Sequence, residues 1–231
     1  MIANKEVLSY INILPEKKII LVEKISQKFS SVSTANILKI LERACLNKKI
    51  VRISKGMYYK PRKTRFGVLP ISESEIVDFF VGVNNQYGIQ SGYYLFNKYN
   101  LTTQVAKKHI IYSNVSIRDK GKINNTVIIK LPLQYHLSMA ETFEFIEILD
   151  QYQHIEDLNS QSFLQYCEYA VKKFNERQFY KICQFKKYKK KTVAFLKTIL
   201  DSYHVPNDLG RYLNSTSRYN IPVVEGINET T

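Results

Sequence analysis

Aspartate is missing altogether from the first 66 residues, which hold only four glutamates against fifteen lysines and arginines. That imbalance gives +11 of the chain's formal +14; residues 67–231 carry nineteen basic against sixteen acidic side chains, or +3. A segment so poor in acids and rich in bases suits a polyanionic partner. Cysteine is scarce too. Cys45, Cys167 and Cys183 are scattered and form no CxxC pair, which argues against a disulfide framework or a zinc knuckle. No apolar run approaches the ~18 residues that a bilayer span needs. Lys5 and Glu6 precede a broken apolar pattern with no small-residue cleavage site after it, unlike a secretory signal. The expectation is a cytoplasmic protein without a membrane partner.

The motifs of catalysis are equally thin. His109, His136, His154 and His204 are isolated, and no P-loop, GxSxG or GxGxxG occurs. No catalytic residue, metal ligand or cofactor is therefore expected. Glu141, Glu144 and Glu147 share a helix face at i, i+3 spacing, which could in principle hold a divalent ion for nuclease chemistry. Without histidine or amide ligands nearby, a solvated acidic face is the simpler reading.

What the first segment does contain is a pattern. Val7, Leu8, Ile11 and Leu14 recur at helical spacing up to Pro15, and "KIILV" then reads as a short strand entering a second helix. The polar stretch "SSVST" is a turn, with Ser33 or Thr34 placed to cap a third helix over about Thr34 to Leu46. On that helix Ile37, Leu38, Leu41, Ala44 and Cys45 cluster on one side. Asn36, Lys39 and Arg43 fall within a sector roughly 60° wide on the other. An amide, an ammonium and a guanidinium in a row can reach base edges and phosphates in a major groove.

A hairpin follows. In "VRISKGMYY" the Lys55-Gly56 pair forms the turn, Gly56 supplies a positive φ, and Val51, Ile53 and Tyr58 share the inward face. Arg52, Lys55, Lys60, Arg62, Lys63 and Arg65 surround the hairpin and its exit. Helix, strand, helix, turn, helix and hairpin is the order of a winged helix-turn-helix, in which the wing grips phosphates beside the groove. The fold class expected is α+β: a winged helix-turn-helix over 1–66, a mixed α/β body over 67–215 whose C-terminal part is helical, and a loosely ordered tail over 216–231.

In the body, Pro61 and Pro70 bracket a connector, and Ser72 to Glu75 open a helix. "SGYYLFNKYNLTTQV" (Ser91 to Val105) places Ser91 and Gly92 at a helix start and Asn100 at its stop. Thr102, Thr103 and Gln104 then stand at a helix-to-strand junction. Ser91, Gly92, Thr102, Thr103 and Gln104 are candidates for a surface that meets a partner or ligand; for the last three the alternative is a polar turn that satisfies its own backbone. "HIIYSNVSIRDKGKINNTVIIKL" reads as strands with turns at Lys120-Gly121 and Asn124-Asn125. Leu131 to Val171 lacks Lys and Arg but has seven acids, whereas Lys172 to Lys197 has ten basic residues and one glutamate. The blocks either neutralise one another across helices or leave the second as another nucleic-acid surface.

The wing "KGMYYKP", the "SGYYLFNKYNLTTQV" string and the strand "HIIYSN" together resemble the AbiEi-type antitoxins of bacterial abortive-infection systems, over about residues 1–135. The resemblance implies an antitoxin and transcriptional autoregulator that binds double-stranded DNA, repeats in its own promoter, and counteracts a nucleotidyltransferase-like toxin. Such toxins use a Gly-Ser followed by paired aspartates, and this chain has neither a Gly-Ser nor a DxD. The alternative is a ligand-responsive winged-helix repressor with no toxin partner.

Overall fold

Helix α1 (Ile2–Ile13) ends two residues before Pro15, and its last carbonyls are met by a lysine from far along the chain. The Lys60 ammonium donates to the carbonyl oxygens of Ile11, at 3.1 Å, and Asn12. Strand β1 (Ile19–Leu21) then leads directly into helix α2 (Val22–Lys28), and after a turn comes helix α3 (Thr34–Leu46). Ser33 is the N-cap of α3: its Oγ accepts from the Asn36 N–H at 3.4 Å, a contact of the kind worth about 1 kcal/mol. The computed structural model describes residues 2–115, 119–214, 216–225 and 227.

Strands β2 (Val51–Ser54) and β3 (Met57–Tyr59) form the expected hairpin, with Lys55-Gly56 at the turn and Gly56 at φ 76°. β3 is the middle of a three-stranded antiparallel sheet in the order β1-β3-β2, pairing Ile20 with Tyr58 on one side and Arg52 with Tyr58 on the other. Its three residues are all buried. The expected inward face of β2 needs correcting. The register shifts between Arg52 and Ser54, so Ile53 is an extra residue in the ladder and the strict alternation breaks there. Val51 is 42% exposed in consequence, and Ile50 is buried instead. The core beneath the sheet joins Val7, Ile11, Ile25, Ile37, Leu41 and Tyr58.

The connector expected after Pro61 contains a second hairpin, strands β4 (Lys63–Thr64) and β5 (Gly67–Val68), and then helix α4 (Glu73–Phe80). α4 starts with a reciprocal cap: the Glu75 N–H donates to Ser72 Oγ at 3.3 Å, and the Ser72 N–H to Glu75 Oε2 at 2.8 Å. Glu75 also pairs with Lys17 at 3.2 Å and accepts from the Tyr59 hydroxyl at 2.9 Å. These bonds tie α4 to the sheet, and they explain a second correction. The chain divides into residues 1–79 with 122–124 and residues 80–121 with 125–231, so the first unit extends past the expected boundary at 66.

Burial alone would raise the Glu75 carboxyl, but the Ser72 N–H, Tyr59 hydroxyl and Lys17 ammonium outweigh it and hold it below the ordinary 4.5. Burial and then Glu75 push the Tyr59 phenol up to about 12. A depressed folded-state carboxyl contributes stability that is present above its unfolded value and lost as pH falls through the folded one. Glu75→Gln should thus cost the first unit about 1–2 kcal/mol at neutral pH. The deficit should shrink in acid; urea melts at neutral and acidic pH measure both effects.

The second unit is built on helix α6. Strand β6 (Gly88–Ser91), helix α5 (Tyr93–Lys98), and strands β7 (His109–Ser113), β8 (Lys120–Ile123, whose last two residues are counted with the first unit) and β9 (Thr126–Lys130) come first. The sheet order is β6-β7-β9-β8, with β6 antiparallel and β9 parallel to β7. Lys120-Gly121 lies within β8 and not at a turn, whereas Asn124-Asn125 does turn the chain, Asn124 at φ 50°. A side chain on Gly88 would meet the Tyr112 carbonyl at 2.2 Å, so only glycine lets β6 and β7 approach there.

Helices α6 (Leu137–Gln151), α7 (Ser160–Lys173), α8 (Glu176–Phe185) and α9 (Lys190–Ser202) complete the unit, which is helical in its C-terminal part as expected. Every residue of α6 from Thr142 to Leu149 is buried, glutamates included. The tail is not loose throughout: Val224 and Ile227 are buried in the same core. Residues 215, 226 and 228–231 of the expected body and tail lie outside the described residues, as do 116–118 of the expected strand run.

Candidate nucleic-acid interface

The buried side of α3 consists of Ile37, Ile40, Leu41 and Ala44, which leaves Asn36, Lys39 and Arg43 exposed on the other. Ser33 and Thr34 are exposed at the helix start. Ser33 is committed to the cap, and Thr34 Oγ1 lies 3.5 Å from Ser26 Oγ. Among the described residues, neither Lys39 nor Arg43 forms an ion pair. Glu42, the one acid on the helix, is exposed as well.

The hairpin adds Arg52 on β2 and Lys55 at the turn, both exposed. Lys60 drops out of the set. Its ammonium is held by the last carbonyls of α1, and burial lowers its pKa, so it stabilises a helix end in place of offering a free cation. Arg62, Lys63 and Arg65 are exposed, but they belong to the second hairpin and not to the exit of the first. Sequence reasoning missed that hairpin because each of its strands is two residues long, too short for any alternation to register.

The five residues around "SGYYLFNKYNLTTQV" do not make a common surface. Ser91 is 1% exposed, and its hydroxyl donates to Glu147 Oε2 at 2.9 Å. Gly92 sits at φ 71° to start α5, and Asn100 at φ 55° to stop it. Thr102 is buried and donates to the Glu156 carbonyl at 2.7 Å, while its Oγ1 accepts from the Gln104 N–H at 3.2 Å. Gln104 Nε2 donates to Asp157 Oδ2 at 2.5 Å, and only Thr103 is fully open. The string is a polar junction whose side chains are mostly taken up by Glu147, Glu156 and Asp157, with one local bond from the Gln104 N–H to Thr102.

The acidic face expected on α6 is corrected as well. Glu144 accepts from Lys98 Nζ at 2.8 and 2.7 Å and from the Tyr99 hydroxyl at 2.5 Å. Glu147, with no exposed surface, accepts from Lys186 Nζ, from Ser91 and from the Tyr188 hydroxyl at 2.8 Å. Burial, reinforced by the Glu147 charge, holds the Tyr188 phenol well above its ordinary range. Both carboxylates are committed to lysines and phenols inside the fold. Among the described residues no group of three or more histidines, cysteines or carboxylates could hold a metal ion. The signal was in the sequence: Phe143, Phe145, Ile146 and Ile148 make α6 apolar on every side, so its acids had to be paired within the core.

The late basic block divides. Lys186 neutralises Glu147 across helices, and Lys172–Glu168 and Lys197–Asp201 pair along single helices. Lys173, Arg177, Lys181, Lys187 and Lys189 are exposed.

A family model matches residues 7–131, more than half of the chain, taking in α3 and both hairpins. The chain belongs to the DUF6088 family. The function of DUF6088 is unknown. No curated protein matches this DUF6088 chain. Among the described residues no helix is long and apolar enough to cross a membrane.

Proposed function

We propose that the first unit is a winged helix that binds double-stranded DNA, with α3 entering the major groove and the β2–β3 hairpin lying against a neighbouring phosphate backbone. The observation that carries this reading is the exposed row Asn36, Lys39 and Arg43 on a capped helix whose opposite side is buried. Arg52 and Lys55 supply backbone contacts, which position the helix without reading sequence. The site of action is the cytoplasm, where bacterial DNA is reached directly.

The resemblance of the wing, the "SGYYLFNKYNLTTQV" string and the "HIIYSN" strand supports the wider role: an antitoxin and autoregulator that acts on its own promoter repeats and counteracts a nucleotidyltransferase-like toxin. Co-expression with the adjacent reading frame tests it. Rescue of growth from a toxic neighbour supports the antitoxin role, and a harmless neighbour argues for a plain repressor.

For DNA binding the test is salt dependence. Arg52→Ala and Lys55→Ala should each weaken binding to any duplex and flatten the slope of log K against log salt by about one. Unchanged slopes in both variants would remove the hairpin from the interface.

A further inference from the structure

Phe66 is 86% exposed at the tip of the β4–β5 hairpin. The turn that carries it is braced by hydrogen bonds. Thr64 pairs with Gly67, which leaves Arg65 and Phe66 as a two-residue turn. The Thr64 hydroxyl donates to the Gly67 carbonyl at 3.0 Å and accepts the Phe66 N–H at 3.2 Å. The base of the ribbon is closed by the Leu69 N–H on the Arg62 carbonyl at 3.0 Å. Gly67 takes φ 118°, a conformation that L side chains rarely adopt. The fold therefore spends a cross-braced ribbon on holding an aromatic ring out in water.

The charges around it narrow the choice of partner. Arg62, Lys63 and Arg65 are exposed and, among the described residues, in no ion pair; the Arg65 guanidinium lies 4.7 Å from the Phe66 ring centre. An apolar protein pocket would accept the ring, but it would need an acidic rim to use the three cations beside it. A duplex uses both. Guanidiniums are drawn to the negative potential of a narrow minor groove, and an apolar side chain there can enter between base pairs and kink the helix.

We propose that this hairpin is a minor-groove wedge: its arginines and lysine hold the groove walls while Phe66 intercalates at a base step and bends the DNA toward the major groove. The proposal rests on duplex binding by the first unit and adds a deformation that groove reading by α3 does not require. Flexible pyrimidine–purine steps such as TA would be its preferred site, because they unstack most readily.

The test uses the full chain and a mixed-sequence duplex of roughly 30 base pairs with a central TA step, dyes at both ends and 2-aminopurine at the step. Wild-type protein should shorten the end-to-end distance and raise the 2-aminopurine fluorescence. Phe66→Ala should still bind, within about tenfold of wild type, but leave the duplex straight and stacked. Phe66→Leu, a smaller apolar wedge, should restore part of the bend. Wild-type binding without bending, or equal bending by Phe66→Ala, overturns the wedge while leaving duplex binding intact. A wild-type chain that binds no duplex overturns both. Loss of self-association in Phe66→Ala with the bend unaltered would make the tip a contact between copies and also overturns the proposal.

Discussion

Lys186→Met should destabilise the second unit by about 3–5 kcal/mol, the range seen when one partner of a buried ion pair is removed. Glu147 has no exposed surface, and without Lys186 its charge is left to neutral hydroxyls, those of Ser91, Tyr188 and Tyr112. The lysine also stands 4.3 Å from the Tyr188 ring centre and 5.1 Å from that of Tyr112, so its loss removes cation–π contacts as well. For a unit of this size the change amounts to a fall of roughly 10 °C in Tm. The decisive comparison is the double variant Lys186→Met with Glu147→Leu, which removes both charges together. It should be more stable than Lys186→Met alone, because an unpaired buried carboxylate costs more than an apolar pair. A single variant within 1 kcal/mol of wild type would mean that the pair is worth no more than a surface bridge.

Lys39→Ala and Arg43→Ala should each reduce the ratio of affinities for preferred and scrambled duplex by about tenfold, the value of one base contact. The preferred duplex is the one that the full chain selects from a random pool. Both side chains are exposed on the outer side of α3, and neither anchors the fold, so the melting temperature should stay within about 2 °C of wild type. Equal losses on both duplexes would demote the two residues to phosphate contacts. Arg52→Ala serves as the contrast, expected to lower both affinities alike.

Much of the first unit was legible because its signals are local. The Ser33 cap, the two sides of α3 and the Lys55-Gly56 turn each depend on residues a few positions apart. The failures involve partners far away in sequence. Lys60 looks like one more wing cation until α1 comes within reach of it, some 48 residues back. Glu147 looks like a solvated acid until Lys186 arrives from 39 residues on. Ser91 is buried against Glu147 across 56 residues, and its serine-glycine start gave no hint of that. The boundary at 66 failed for the same reason, since the bonds from Glu75 to Lys17 and Tyr59 bind α4 to the preceding sheet. Ile53 marks a subtler limit: one extra residue in the ladder turned Val51 outward, and alternation alone carries no sign of a bulge.

The central claim is that the outer side of α3 faces bases. A benzophenone side chain installed at the Asn36 position of the full chain tests it directly, with one at the exposed Tyr94 of the second unit as the control. On irradiation with the selected duplex, position 36 should give a covalent protein–DNA adduct that maps to bases, and position 94 should give none. Adducts of equal yield from both positions, or from 94 alone, would contradict the account.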